Sequence, residues 1–306
     1  MKVNTKRNSF LLFLTACIWG LAFVSQSKGM EYMDPFTFNG VRSLIGAGSL
    51  LVFILLRTKF TKTSLQNIDW KVTLRAGILC GIVLTIASTL QQFGIVYTTV
   101  GKAGFITTLY IIFVPMAGVL FGKKPSAVVW VAAVMAAAGM YFLCMSEDFS
   151  VNFGDVLIFI CALFFTVHIM VIDHYSPKTD GVIVSCIQFF VCGVVCMFGA
   201  FVWGNPAWSQ LTSGATALLY AGVMSCGVAY TLQIVGQNGV NPTVAALLLS
   251  LESVVATVAG VLAYRLGFLE ADQTMTTRQV VGCVIVFLAV VLVQLPPEWF
   301  LKKKKV

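Results

Sequence analysis

Residues 89–120 read TLQQFGIVYTTVGKAGFITTLYIIFVPMAGVL, and residues 231–262 read TLQIVGQNGVNPTVAALLLSLESVVATVAGVL. Both stretches open on TLQ, carry glycine at the sixth place and close on AGVL, at a constant offset of 142 residues. Across positions 87–120, eleven of 34 residues are identical at that offset: Ala87, Thr89, Leu90, Gln91, Gly94, Ala103, Leu109, Ala117, Gly118, Val119 and Leu120. Apolar composition raises the rate of coincidence, but two identical blocks at one offset mark an internal duplication. The second stretch holds a further oddity. Between Asn241 and Ala263 the only charged residue is Glu252, inside a segment long enough to cross a bilayer.

Composition explains what kind of chain tolerates such a segment. Hydrophobic residues make up 58% of the 306 residues and charged ones 10%, against about 25% charged in soluble domains. Apolar stretches of about 20 residues, the length that spans the hydrocarbon core, recur from end to end. These features define an all-α integral membrane protein. The short alternating segments of a transmembrane β-barrel are absent from the sequence.

Ten candidate helices follow: 9–27, 36–56, 74–97, 103–122, 126–145, 154–172, 181–203, 214–235, 242–263 and 277–295. Proline- and glycine-bearing breaks separate many of them, among them Asp34-Pro35, Lys123-Lys124-Pro125, Ser176-Pro177, Gly204-Asn205-Pro206 and Asn241-Pro242. The basic start MKVNTKR followed by an apolar run has the outline of a signal peptide. It lacks a small-residue cleavage site and is read as the first helix.

The net charge of +8 sits in loops and tails. With both termini and every second loop on one side, that side collects fifteen Lys and Arg residues, including Arg57, Lys59, Lys62, Lys71, Arg75 and Lys302 to Lys305. The other side has four: Lys28, Lys102, Arg265 and Arg278. The positive-inside rule then places both termini in the cytoplasm. The basic tail reads as a topological anchor. Nothing in this charge pattern points to nucleic acid, since no basic domain with interleaved aromatics is present.

A unit of five helices crosses the membrane an odd number of times, so a tandem copy enters in the opposite orientation. The duplication therefore predicts two inverted five-helix repeats, residues 1–148 and 149–306. Secondary transporters have this arrangement, with the solute site near the midplane where the repeats meet.

Several segments resemble the drug/metabolite transporter superfamily, and within it the EamA-like ten-helix family. They are CIWGLAFVSQSK (17–28), FNGVRSLIGAG (38–48), GIVYTTVGKAGFITTLYIIFVP (94–115) and GQNGVNPTVAALLLSLESVVATVAGVL (236–262). The resemblance covers essentially the whole chain as two repeats. It departs at Ser253, where family members often carry proline after the glutamate, and at Lys123-Lys124, where an acidic residue commonly follows the glycine. The resemblance implies proton- or gradient-driven movement of a small metabolite, such as an amino acid or a toxic compound, across the cell (cytoplasmic) membrane, often as export.

Charges inside a membrane span cost about 2.5–3.5 kcal/mol on insertion scales and usually face the bundle interior. Glu252 lies eleven residues past Asn241, roughly 16 Å along a helix and near the midplane. Arg42 lies seven residues past Pro35, roughly 10 Å in. The 142-residue offset sets Tyr110 over Glu252 and Gln91 over Gln233. Aligning Asp34 with Asp180 sets Arg42 over Gln188. These three pairs, with Trp19 and Tyr230, are the expected lining of a central cavity for solute or proton. Each has a plainer reading. Glu252 can simply bond a neighbouring helix, Arg42 can snorkel to the outer interface, and the aromatics can be packing residues.

His168 reads as an interface residue near the cytoplasmic end. With His174 and Asp173 it does not make a metal site, and the nine cysteines show no ligand spacing. No cofactor is expected. Pro115 is expected to kink its helix, and Gly77/Gly81 and Gly118/Gly122 to mark close helix contacts. HExxH, G-x-S-x-G and G-x-x-x-x-G-K-[ST] patterns are missing, which disfavours an intramembrane enzyme or a nucleotide-driven pump. The leading expectation is a secondary transporter of a small organic solute in the lipid bilayer, coupled to protons or to another gradient. The alternatives are an uncoupled facilitator and a non-transporting scaffold or sensor.

Overall fold

Apolar segments with no internal partner for their backbone groups other than themselves become helices in a membrane, and the described residues of the expected segments are mostly helical. The structure, a computed structural model, describes residues 5–61, 68–120, 122, 125–144, 152–269 and 276–294. In chain order the helices are α1 (Thr5–Gly29), α2 (Pro35–Thr61), α3 (Trp70–Ile95), α4 (Val100–Thr107), α5 (Tyr110–Leu120), α6 (Ala127–Cys144), α7 (Phe153–Tyr175) and α8 (Gly181–Trp203). They continue with α9 (Trp208–Ser213), α10 (Ala215–Leu219), π-helical turns over Tyr220–Ala229, α11 (Tyr230–Gln237), α12 (Pro242–Leu249), α13 (Leu251–Arg265) and α14 (Thr277–Gln294). Among the described residues, eight spans are long and apolar enough to cross a membrane, and two shorter apolar helices fall at Ala127–Gly139 and Val280–Leu292. The 148/149 repeat boundary, Lys123-Lys124 and the tail Lys302 to Lys305 lie outside the described residues.

The bundle is held by contacts between the two parts of the chain. α2 packs on α8, α6 on α14, and α3 on both α7 and α8, while α1 packs on α13, α11 and the π-helical turns. Large apolar side chains such as Phe53, Leu55, Phe198 and Trp203 stay more than half exposed on the outside, as lipid contact requires. Gly77 and Gly81 let α3 meet α8 directly: a Cβ at Gly81 would stand 3.0 Å from the Gln188 carbonyl oxygen and 2.7 Å from Val191. Gly122 does not have the close-contact role expected of it. Its φ is 75° with open space around it, so it is a turn glycine.

Two spans are broken, and at corresponding places. α4 gives way to α5 at Thr108, and α12 to α13 at Ser250, which stands 142 residues later. The cause is not the expected proline. Pro115 lies inside α5, and the second break has no proline at all. Both break residues instead turn their hydroxyls onto the carbonyl three residues back. Thr108 Oγ1 donates to Phe105 O at 2.9 Å and Ser250 Oγ to Leu247 O at 2.8 Å, a local bond that competes with the helical ladder.

Candidate functional site

The breaks place Tyr110 and Glu252 just past an interruption, at the head of α5 and in the first turn of α13. Tyr110 Oη donates to Glu252 Oε1 at 2.9 Å, and both residues are buried. The two positions that the 142-residue offset superposes are thus in direct contact. Glu252 has no cationic partner among the described residues.

Around this bond lies a cavity of about 30 Å³, space for one or two waters. Its lining includes Trp19, Phe23, Gln26, Arg42, Gln91, Thr107, Tyr110, Tyr230, Gln233 and Glu252. Seven of the eight residues expected to meet do so here. The eighth, Gln188, is fully buried behind the wall, with Oε1 3.1 Å from His168 Nε2. That contact also corrects the reading of His168. It is not an interface residue: it has no exposed surface, and its ring meets Tyr230 edge-on at 6.0 Å. The π-helical turns lead into Tyr230, whose ring meets that of Trp19 at a 58° tilt with centroids 4.6 Å apart. Wide turns of this kind often mark functional positions.

The polar equipment is asymmetric. Arg42 is only 6% exposed and has no carboxylate partner among the described residues. Its Nε donates to Asn39 Oδ1 at 2.8 Å, and its guanidinium stands 5.3 Å from the centre of the Phe38 ring. A guanidinium in this place is not snorkelling to an interface. It is a buried cation facing the cavity. Gln91 Nε2 donates to Thr107 Oγ1 at 3.0 Å, which braces one cavity amide against the last residue of α4. Gln233 Oε1, Gln26 Oε1 and Trp19 Nε1 have no protein partner.

Sequence reasoning missed Asn39, Gln26, Phe23, Thr107 and Ser225. A signal for two of the cavity's apolar walls was available. The 146-residue step that aligns Asp34 with Asp180 also pairs Trp19 with Phe165 and Phe23 with Ile169, and all four line the cavity. Asn39 left no trace of this kind, because its counterpart is Ser185.

A helical bundle with a polar, partly charged cavity closed on broken helices defines a membrane transport protein. The EamA-like transporter family model matches residues 7–145 and again residues 152–295, and the chain belongs to that family. It is a multi-pass membrane transporter rather than an enzyme. It is 31% identical to an uncharacterized transporter of Archaeoglobus fulgidus over 93% of this chain and 84% of that one. It is 23% identical to an uncharacterized transporter of Clostridium kluyveri over 94% of this chain and 93% of that one. A solved protein crystal structure superposes with a TM-score of 0.74 at 16% identity, covering 97% and 99% of the two chains, and shares the fold.

Proposed function

We propose that this protein is a secondary transporter that moves a small organic metabolite, an amino acid or related compound, across the cell membrane by alternating access coupled to a proton gradient. Its ten helices form two five-helix repeats, residues 1–148 and 149–306, in opposite orientations, with both termini in the cytoplasm. The observation that carries the reading is the Tyr110–Glu252 bond inside the cavity. Two positions related by a rotation can touch only near its axis, so a 2.9 Å contact between offset partners fits a pseudo-twofold axis through the site. The matched breaks at Thr108 and Ser250 fit the same axis. A cavity of about 30 Å³ is too small for an amino acid. Solute entry on this reading needs the half-helices to move about the breaks at Thr108 and Ser250.

The coupling role falls to Glu252. Among the described residues it is the one carboxylate lining the cavity, and it can exchange a proton when either side opens. Export is the direction that the family resemblance favours. The test is reconstitution in liposomes with a panel of radiolabelled amino acids and related metabolites, with and without a pH gradient. Gradient-dependent accumulation of at least one solute supports the reading. Solute flux that ignores the gradient replaces it with an uncoupled facilitator, and absence of flux across the panel favours a scaffold or sensor.

A further inference from the structure

We infer that Asn39 is a positioning residue that fixes Arg42 without neutralising its charge, and that the solute this site takes carries a carboxylate; the inference rests on the transporter reading above. Asn39 is completely buried. Its Nδ2 donates to the Ser88 carbonyl of α3 at 3.0 Å, and its Oδ1 accepts from Arg42 Nε at 2.8 Å. One side chain thereby anchors the cation to a neighbouring helix. Arg42 has five N–H donors in a planar fork, and Asn39 takes the one on the stem side. The terminal amino groups have no protein acceptor among the described residues, and the Phe38 ring at 5.3 Å supports the guanidinium without neutralising it.

The choice of amide is the telling point. An aspartate at position 39 could accept from Arg42 Nε in the same i,i+3 geometry, and a buried arginine ordinarily takes such a partner. Ion pairing would stabilise the guanidinium but cancel its charge. An asparagine gives the orientation and leaves the charge uncancelled. A planar fork with its outer edge open matches a carboxylate in two-point contact. The equivalent step in the second half has Ser185 and Gln188, and Gln188 is turned onto His168 outside the cavity. The carboxylate subsite is therefore built from one half only, in the cavity that Glu252 also lines, and it gives the solute a preferred orientation.

Four full-length proteins distinguish a specificity role from a structural one: wild type, Asn39→Asp, Asn39→Ala and Arg42→Gln. Each is titrated in detergent with aliphatic and aromatic amino acids and 2-oxo acids, each paired with its own amide, and affinity is taken from ligand-dependent thermal stabilisation. Wild type should bind at least one acid tenfold or more tighter than its amide. Asn39→Asp should stay folded and lose that preference, as should Arg42→Gln. Asn39→Ala should weaken the acid's binding yet keep a residual preference, because the charge survives. If Asn39→Asp discriminates as wild type does, Asn39 does not govern the charge of the site and the inference fails. If wild type itself shows no preference for any acid, the carboxylate assignment fails, while solute flux in liposomes decides the transporter reading separately.

Discussion

Tyr110 and Glu252 bind each other, and the sequence reaches the first through its repeat and the second through its charge. Their hydrogen bond satisfies the carboxyl of Glu252 where no cation does. Removing the donor leaves a buried acceptor without a partner, at a cost of about 1–3 kcal/mol. Tyr110→Phe is expected to lower the stability of the purified protein by that amount, read from thermal or denaturant unfolding in detergent. An unchanged midpoint would mean that another group takes over the bond. At this scale the sequence was legible where charge was rare. Glu252 and Arg42 announce themselves because intramembrane charge is expensive, and Gln91, Gln233 and Tyr110 follow from the offset. Asn39 and Gln26 did not, since buried amides are ordinary in such a chain until their partners are known. His168 was misplaced because its depth alone was read, and depth does not tell which face of α7 meets Gln188.

Helices were the easier level. Apolar length marked the eight spans that are long and apolar enough to cross a membrane among the described residues, and the two shorter apolar helices, because a bilayer admits few alternatives to a helix. Their interruptions were not foreseen. Pro115 was the visible suspect, yet the breaks fall at Thr108 and Ser250, where a hydroxyl finds the carbonyl three residues back. That signal is a single polar residue among many. Close contacts are similarly uneven. A Cβ at Gly94 would stand 2.8 Å from the Gly154 carbonyl oxygen and 2.3 Å from Ile158, whereas at Gly236 the carbonyl oxygen of Asn8 and Leu12 stand at 3.0 Å. Overpacking costs about 1–3 kcal/mol. Gly94→Ala is therefore expected to destabilise the protein more than Gly236→Ala, as measured by unfolding of each variant in the same detergent. The reverse order would show that the α3–α7 joint yields more easily than its counterpart between α1 and α11.

Across the whole molecule, one cation and one carboxyl from different halves face a single cavity. On the proposed inverted-repeat arrangement each half supplies a copy of the same wall, and sequence divergence makes the two copies chemically different. Arg42 against Gln188, and Glu252 against Tyr110, are that divergence. The charge distribution makes a separate prediction about topology: reporter fusions after residue 306 and at the N-terminus should both report the cytoplasm, while a reporter in the loop between α3 and α4 should report the opposite side. A terminus found outside would break the even number of crossings.

The most direct test of the central assignment compares two modes of transport by Glu252→Gln in proteoliposomes. A coupling carboxyl locked in its neutral form can still let the loaded carrier reorient, but it cannot release a proton. The account predicts that Glu252→Gln retains exchange of labelled for unlabelled solute and loses accumulation driven by a pH gradient. Accumulation at the wild-type level in that variant would contradict it.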